Sequence, residues 1–250
     1  MLSAMRLTLQ VVAMANERKI LLFIVEGPTE EAALGTVLSA GFSDAKVEFQ
    51  VTRGDVTTSG PGENASDIKS KLGNIVGQFM GRIFKPSDFL RVIHLIDTDG
   101  TYIPDEAVQL LTEGTTTIYS GDGILTSNPQ GILQRNHEKA NAVNRLASIQ
   151  TIHRGIPYSA VFFSSNLDHV LYNDANLSRE EKMLKAKAFR RCYGKDYPAF
   201  VQFLRETECS CAQTHEETWR FIKEGLHSVQ RYNNLRMHLD DTLRTIGDAL

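Results

Sequence analysis

Two nearly unbroken apolar runs, Ile20-Leu-Leu-Phe-Ile-Val25 and Leu90-Arg-Val-Ile-His-Leu-Ile96, constrain this chain more than anything else in it. Runs of this kind read as strands covered on both faces, the situation of a parallel sheet with helices on either side. Each run stops at acids. The first leads into Glu26-Gly-Pro-Thr-Glu30-Glu31, the second into Asp97-Thr-Asp99. In an open α/β sheet the carboxyl ends of the strands border the ligand crevice, so Glu26, Asp97 and Asp99 are expected to meet there. Carboxylates brought together repel one another unless a hard cation such as Mg²⁺ neutralises them. The pattern therefore predicts a metal site with these three acids as ligands and as the reactive groups. Glu30, one helical turn on, is expected to contribute through a water or to neutralise a basic neighbour.

The rest of the chain supports an α/β reading. Pro28 suits the first turn of a helix, and the acids after it complement the positive end of that helix. Val47, Phe49 and Val51 alternate with polar residues as in a half-buried strand. Residues 54–64 are rich in Gly, Thr and Ser and read as a flexible loop. Ser66 is placed as the cap of a helix carrying Ile68, Leu72, Ile75, Val76 and Phe79. Gly121-Asp-Gly123 suggests a turn between two short extended pieces, residues 129–149 a helix, and Tyr158-Ser-Ala-Val-Phe-Phe163 another buried strand. Beyond Ser178 the pattern is helical: 178–194, 197–206 and one long helix from 215 onward. An N-terminal extension (1–17), an α/β domain (18–172) and an α-helical C-terminal portion (173–250) are thus expected. The translated start is expected near Met14.

Composition narrows the function. The chain has 250 residues and a net charge of −3, so nucleic-acid contact would depend on local basic patches. Two such segments stand out. Residues 135–154 supply Arg135, Lys139 and Arg145; residues 179–195 supply Lys182, Lys185, Lys187, Arg190 and Arg191. No apolar run approaches the roughly 20 residues that span a bilayer. Three cysteines, with no disulfide framework, fit a reducing cytoplasm. His94, inside an apolar run, is expected to be a core residue.

Glu-Gly-x-Thr-Glu after one strand and Asp-x-Asp after another, in this order and spacing, resembles the TOPRIM domain of topoisomerases, bacterial primases and several nucleases. The resemblance covers roughly residues 18 to 170 and rests on about a dozen positions. The form Val25-Glu-Gly-Pro-Thr-Glu30 is most similar to the OLD-family nucleases and to small standalone TOPRIM proteins of phage defence. Phe162-Phe-Ser-Ser-Asn-Leu-Asp168 resembles their third element, with Asp where Glu is more usual. On that match Asp168 completes the metal cluster and Ser164 or Asn166 orients ligands; read alone, the same residues are a strand-to-helix cap. The resemblance implies a Rossmann-like sheet and Mg²⁺- or Mn²⁺-dependent hydrolysis of phosphodiesters in DNA or RNA, with Glu26 also serving as general acid or base. It implies a toxin-like defence effector, with processing of 5S ribosomal RNA as another enzymatic setting. There is no Gly-x-x-x-x-Gly-Lys-Ser/Thr loop, so ATP dependence would require a separate ATPase or sensor subunit. A non-catalytic nucleic-acid-binding or ATPase-partner subunit is the alternative from another class. The apolar stripe of the last helix would serve core packing or homo-oligomerisation.

Overall fold

In the computed structural model, which describes residues 18–58, 67–209 and 212–248, β1 (Ile20–Val25) lies at the heart of the sheet. Its six residues are all buried, and they divide between two layers. Leu21, Phe23 and Val25 face a layer formed by α1 (Pro28–Gly41), α5 (Arg179–Tyr193), α6 (Tyr197–Arg205) and α8 (Leu235–Gly247). Ile20, Leu22 and Ile24 face α2 (Ile68–Met80), α3 (Pro129–Ser148) and α7 (His215–Phe221). A strand wedged between two helical layers has no solvated face, which is why its sequence is apolar at every position. Each such side chain contributes about 1.5–3 kcal/mol relative to leaving it exposed.

The sheet has the order β2-β1-β3-β8-β7. β2 (Lys46–Val51), β3 (Phe89–Asp97) and β8 (Ile156–Phe163) run parallel to β1, and the short β7 (Thr151–Ile152) closes one edge antiparallel to β8. The chain is thus α/β, with a mostly parallel mixed sheet flanked by helices. Between β3 and α3 a second, three-stranded sheet is inserted, in the order β4 (Val108–Leu110), β6 (Gly123–Thr126), β5 (Ile118–Ser120). The expected turn at 121–123 joins β5 to β6 as an antiparallel hairpin. This small sheet covers Ile103, Val108, Ile124 and Val229. Gly100 is required there: it sits at φ 68°, and a Cβ would lie 2.5 Å from Val229 Cγ1.

The C-terminal helices add to both layers of the same core. Ala186, Phe189, Phe200, Leu204, Leu235 and Leu239 cover one face of the sheet, while Trp219 and Ile222 cover the other. The single long helix expected from residue 215 is a correction: α7 ends at Phe221, and α8 begins only at Leu235. The cause is local. Gly225 takes φ 52°, and two asparagines spend their side chains on other partners. Asn233 Oδ1 accepts from the Leu235 amide and Asn233 Nδ2 donates to Thr207 Oγ1. Asn234 Oδ1 accepts from the Phe162 amide of β8, and Asn234 Nδ2 donates to Thr218 Oγ1. Side chains that bond elsewhere compete with helical hydrogen bonding.

Among the described residues no helix is long and apolar enough to cross a membrane. His94 is buried as expected, with Nδ1 3.1 Å from the Tyr158 hydroxyl. Burial holds its pKa down, at about 4. Cys192 is exposed, and Cys209 is buried with its Sγ 4.0 Å from Asn233 O. The N-terminal extension and Ser66 lie outside the described residues, as do Cys211 and most of the Gly-rich loop.

A candidate active site at the carboxyl edge of the sheet

Glu26 is the first residue past β1, and its position is set by backbone pairing. The Thr52 amide donates to Val25 O at 2.9 Å and the Gly54 amide to Glu26 O at 3.0 Å, which ties the exit of β2 to the exit of β1. The register between β1 and β3 pairs Ile24 with His94, and two residues on it brings Glu26 opposite Ile96, beside Asp97. Adjacent strands are about 4.8 Å apart, so these carboxyls share one local field. Asp97 ends β3, and its Oδ1 accepts the Leu167 amide at 2.9 Å, at the start of α4 (Leu167–Tyr172). Asp99 sits at φ 49°, its amide donating to Ser165 O at 2.7 Å. Glu30 lies in the first turn of α1. Its Oε2 accepts from Thr29 Oγ1 at 3.0 Å and stands where a Gly27 Cβ would approach to 3.0 Å, so Gly27 leaves room for that carboxylate.

The cluster includes a cation that residue order alone does not reveal. Lys139 of α3 is fully buried, with Nζ 2.5 Å from Asp99 Oδ2 and 2.8 Å from Asp55 Oδ2. Burying an ammonium costs several kcal/mol unless close partners offset it. Here burial works to strip the Lys139 proton, but Asp99, Glu26 and Asp55 outweigh it and hold the amine above its usual range. Asp55 is pushed up by burial and pulled down by more: the Lys139 ammonium, and the Thr57 hydroxyl and amide that donate to its Oδ1 at 2.5 and 2.7 Å. Its carboxyl therefore stays below the ordinary carboxylate range.

Glu26 and Asp97 behave in the opposite way. Burial raises Glu26 most, Lys139 lowers it, and Asp55, Asp99 and Glu30 raise it again, to about 8. Burial, followed by the charges of Glu26, Asp99 and Glu30, holds Asp97 well above the ordinary range. For both, burial is the larger cause and the neighbouring carboxylates add to it, so the charged form is disfavoured at Glu26 and at Asp97.

Of the expected site residues, Glu26, Asp97, Asp99 and Glu30 share this cluster. Asp168 is buried at its flank, where Oδ2 pairs with Lys182 Nζ at 2.6 Å. Asn166 caps α4, accepting the His169 amide at 2.9 Å. Ser164 and Ser165 point to the C-terminal segment: the Ser164 amide donates to Tyr232 O and the Ser165 amide to Ser228 O. They anchor residues 228–232 beneath the site.

The basic residues divide. Lys139, expected as a phosphate contact, is instead enclosed with Asp55 and Asp99 because its position falls on the buried stripe of α3. Arg135 is a clamp, donating to Asp99 O and to the Tyr119 hydroxyl, each at 2.7 Å. Asn176 bonds both backbone groups of Tyr119, so the β5–β6 hairpin is stitched over the same corner. Lys185 packs over the Tyr172 ring at 6.0 Å. Arg145, Arg190 and Arg191 are exposed. Arg190 and Arg191 lie about 12 Å along the helix axis from Lys182 at 1.5 Å per residue.

Asp55 is the site residue that sequence reasoning missed; Lys139 is singled out by the sequence, but as a phosphate contact and not as a partner of carboxylates. Asp55 follows the carboxyl end of the strand parallel to β1, the same location rule that singled out Glu26. Lys139 lies in line with Asn136, Ala142, Val143 and Leu146, and a lysine on a buried stripe requires a partner.

Among the described residues no three His, Cys, Asp or Glu side chains stand as a ready-made metal cage. The donors nonetheless fit a hard divalent ion in kind. They are carboxylate oxygens, the ligand type such an ion takes, and burial with neighbouring acids disfavours the charged forms of Glu26 and Asp97 in its absence. No protein-family model, curated protein or solved structure matches this chain.

Proposed function

We propose that this chain is a metal-dependent nuclease of TOPRIM type that hydrolyses phosphodiester bonds in DNA or RNA. The observation that carries the reading is the delivery of Glu26 and Asp97 by two adjacent parallel strands to one edge of the sheet, with Asp99 beside them. Glu26, Asp97 and Glu30 would hold a Mg²⁺ or Mn²⁺ ion. The chemistry supplied by such an ion is activation of a water and neutralisation of charge at the phosphate. Glu26 would also serve as general acid or base, as the resemblance to TOPRIM enzymes implies. Arg135 fixes the backbone of Asp99. Lys182 and Lys185, on the first turns of α5, supply positive charge at the flank where a phosphate backbone would run.

One observation favours a second reading, a non-catalytic nucleic-acid-binding or ATPase-partner subunit: Lys139 already neutralises part of the cluster from within. A single experiment separates the two. The protein is incubated with plasmid, single-stranded DNA and total tRNA in Mg²⁺, Mn²⁺ or EDTA. The nuclease reading expects cleavage that needs the metal and disappears in Glu26→Ala. Absence of cleavage on every substrate, with binding unchanged by Glu26→Ala, would leave only the second reading.

A further inference from the structure

Given an ion-dependent site as proposed above, we infer that Lys139 stands in for a second cation, so that the chain binds one divalent ion rather than two. Two-ion phosphodiester sites place the ions about 3.5–4 Å apart and share carboxylates between them. Here the second position is taken. The Lys139 ammonium lies between Asp99 and Asp55, in contact with Oδ2 of each at 2.5 and 2.8 Å. An ammonium and a divalent ion cannot occupy the same space.

The lysine cannot easily withdraw. Its side chain has no exposed surface, and its helix is anchored on either side by the buried Asn136, Ala142, Val143 and Leu146. Its partners are anchored too. Asp55 accepts two further hydrogen bonds from Thr57, and Asp99 is held through its backbone by Ser165 and Arg135. What is left for an ion is the other side of the cluster, the carboxyls of Glu26, Asp97 and Glu30, while Lys139 bonds Asp55 and Asp99. Lys139 thereby divides the acids into a pre-neutralised pair, Asp55 and Asp99, and an open set.

The test is a count of ions. The full chain is titrated with Mn²⁺ at pH 8, and free Mn²⁺ is read from its electron paramagnetic resonance signal. The wild type is expected to bind one ion, and Lys139→Met, which keeps the bulk and removes the charge, two. Asp55→Asn is expected to keep a count of one, because Asp55 serves the lysine rather than the ion. Two ions on the wild type would overturn the inference and leave the proposed activity standing. No ion on the wild type would overturn both. A count of one in Lys139→Met would also overturn it, since the freed carboxylates would then hold nothing. Should Lys139→Met fail to fold, the wild-type and Asp55→Asn counts still decide: a loss of Mn²⁺ binding in Asp55→Asn would make Asp55 a ligand and sink the inference.

Discussion

Glu26→Gln offers the sharpest test of the electrostatics, because it separates proton affinity from packing. In the folded chain the Glu26 carboxyl titrates near 8, against 4.5 for an ordinary glutamate. The folded-state value is the raised one. The stabilisation from a protonated Glu26 is therefore fully present below pH 4.5 and is lost as pH rises through 8. Between these values the unfolded chain ionises while the folded chain keeps its proton, and stability declines. At about 1.36 kcal/mol per pKa unit the ceiling is roughly 5 kcal/mol. Glu26 retains some contact with water, which reduces this to about 2 kcal/mol. In a protein of this size about 2 kcal/mol corresponds to roughly 4–8 °C in Tm.

The measurement is thermal unfolding in EDTA from pH 5 to 8.5. Wild-type Tm should fall by that much more than the Tm of Glu26→Gln, whose amide does not titrate. Added Mg²⁺ should then reverse the order at pH 8.5. An ion bound only by the folded wild type stabilises it by about 2.7 kcal/mol at a hundred times its Kd, while the amide variant gains little. Parallel pH profiles for the two proteins would refute the assigned burial and charge of Glu26. Equal Mg²⁺ responses would refute its place in the ion site.

Three other substitutions probe the surroundings. Lys139→Met should destabilise the chain by about 3–5 kcal/mol in EDTA, as expected when one partner of a buried ion pair is lost, and adding Asp55→Asn should cost less than the sum, read by urea denaturation. Gly100→Ala places a methyl 2.5 Å from Val229 Cγ1 at a positive φ, and should cost more than about 1 kcal/mol; a second change, Val229→Ala, should return part of it. Asn234→Ala leaves the Phe162 amide of β8 without its acceptor, and the loss of about 1–3 kcal/mol should appear in urea midpoints along with faster hydrogen exchange at Phe162.

The elements legible in the sequence are those whose pattern is local. Ile20–Val25 could be read as a doubly covered strand because each of its residues is buried by one layer or the other. Pro28 at the first turn of α1 and Gly121-Asp-Gly123 between β5 and β6 announce themselves through backbone chemistry. From the strand ends it followed that Glu26 and Asp97 would be neighbours. The break between α7 and α8 was illegible for the opposite reason. Asn233 and Asn234 are unremarkable in a helical pattern until Thr207, Thr218 and Phe162, far away in the chain, take up their side chains. Lys139 shows most clearly where the two kinds of information meet. As one of several bases in a segment it invites a surface reading; as a member of the Asn136, Ala142, Val143, Leu146 stripe it contradicts its own helix. Local rules and fold agree almost everywhere in a natural protein, and the positions where they conflict tend to be functional or strained. A lysine on a buried stripe is such a conflict, and here it is resolved only by carboxylates delivered from two other elements, Asp55 beyond β2 and Asp99 beyond β3. The misfit in α3 and the surplus of acids at the strand ends are therefore one feature, each accounting for the other.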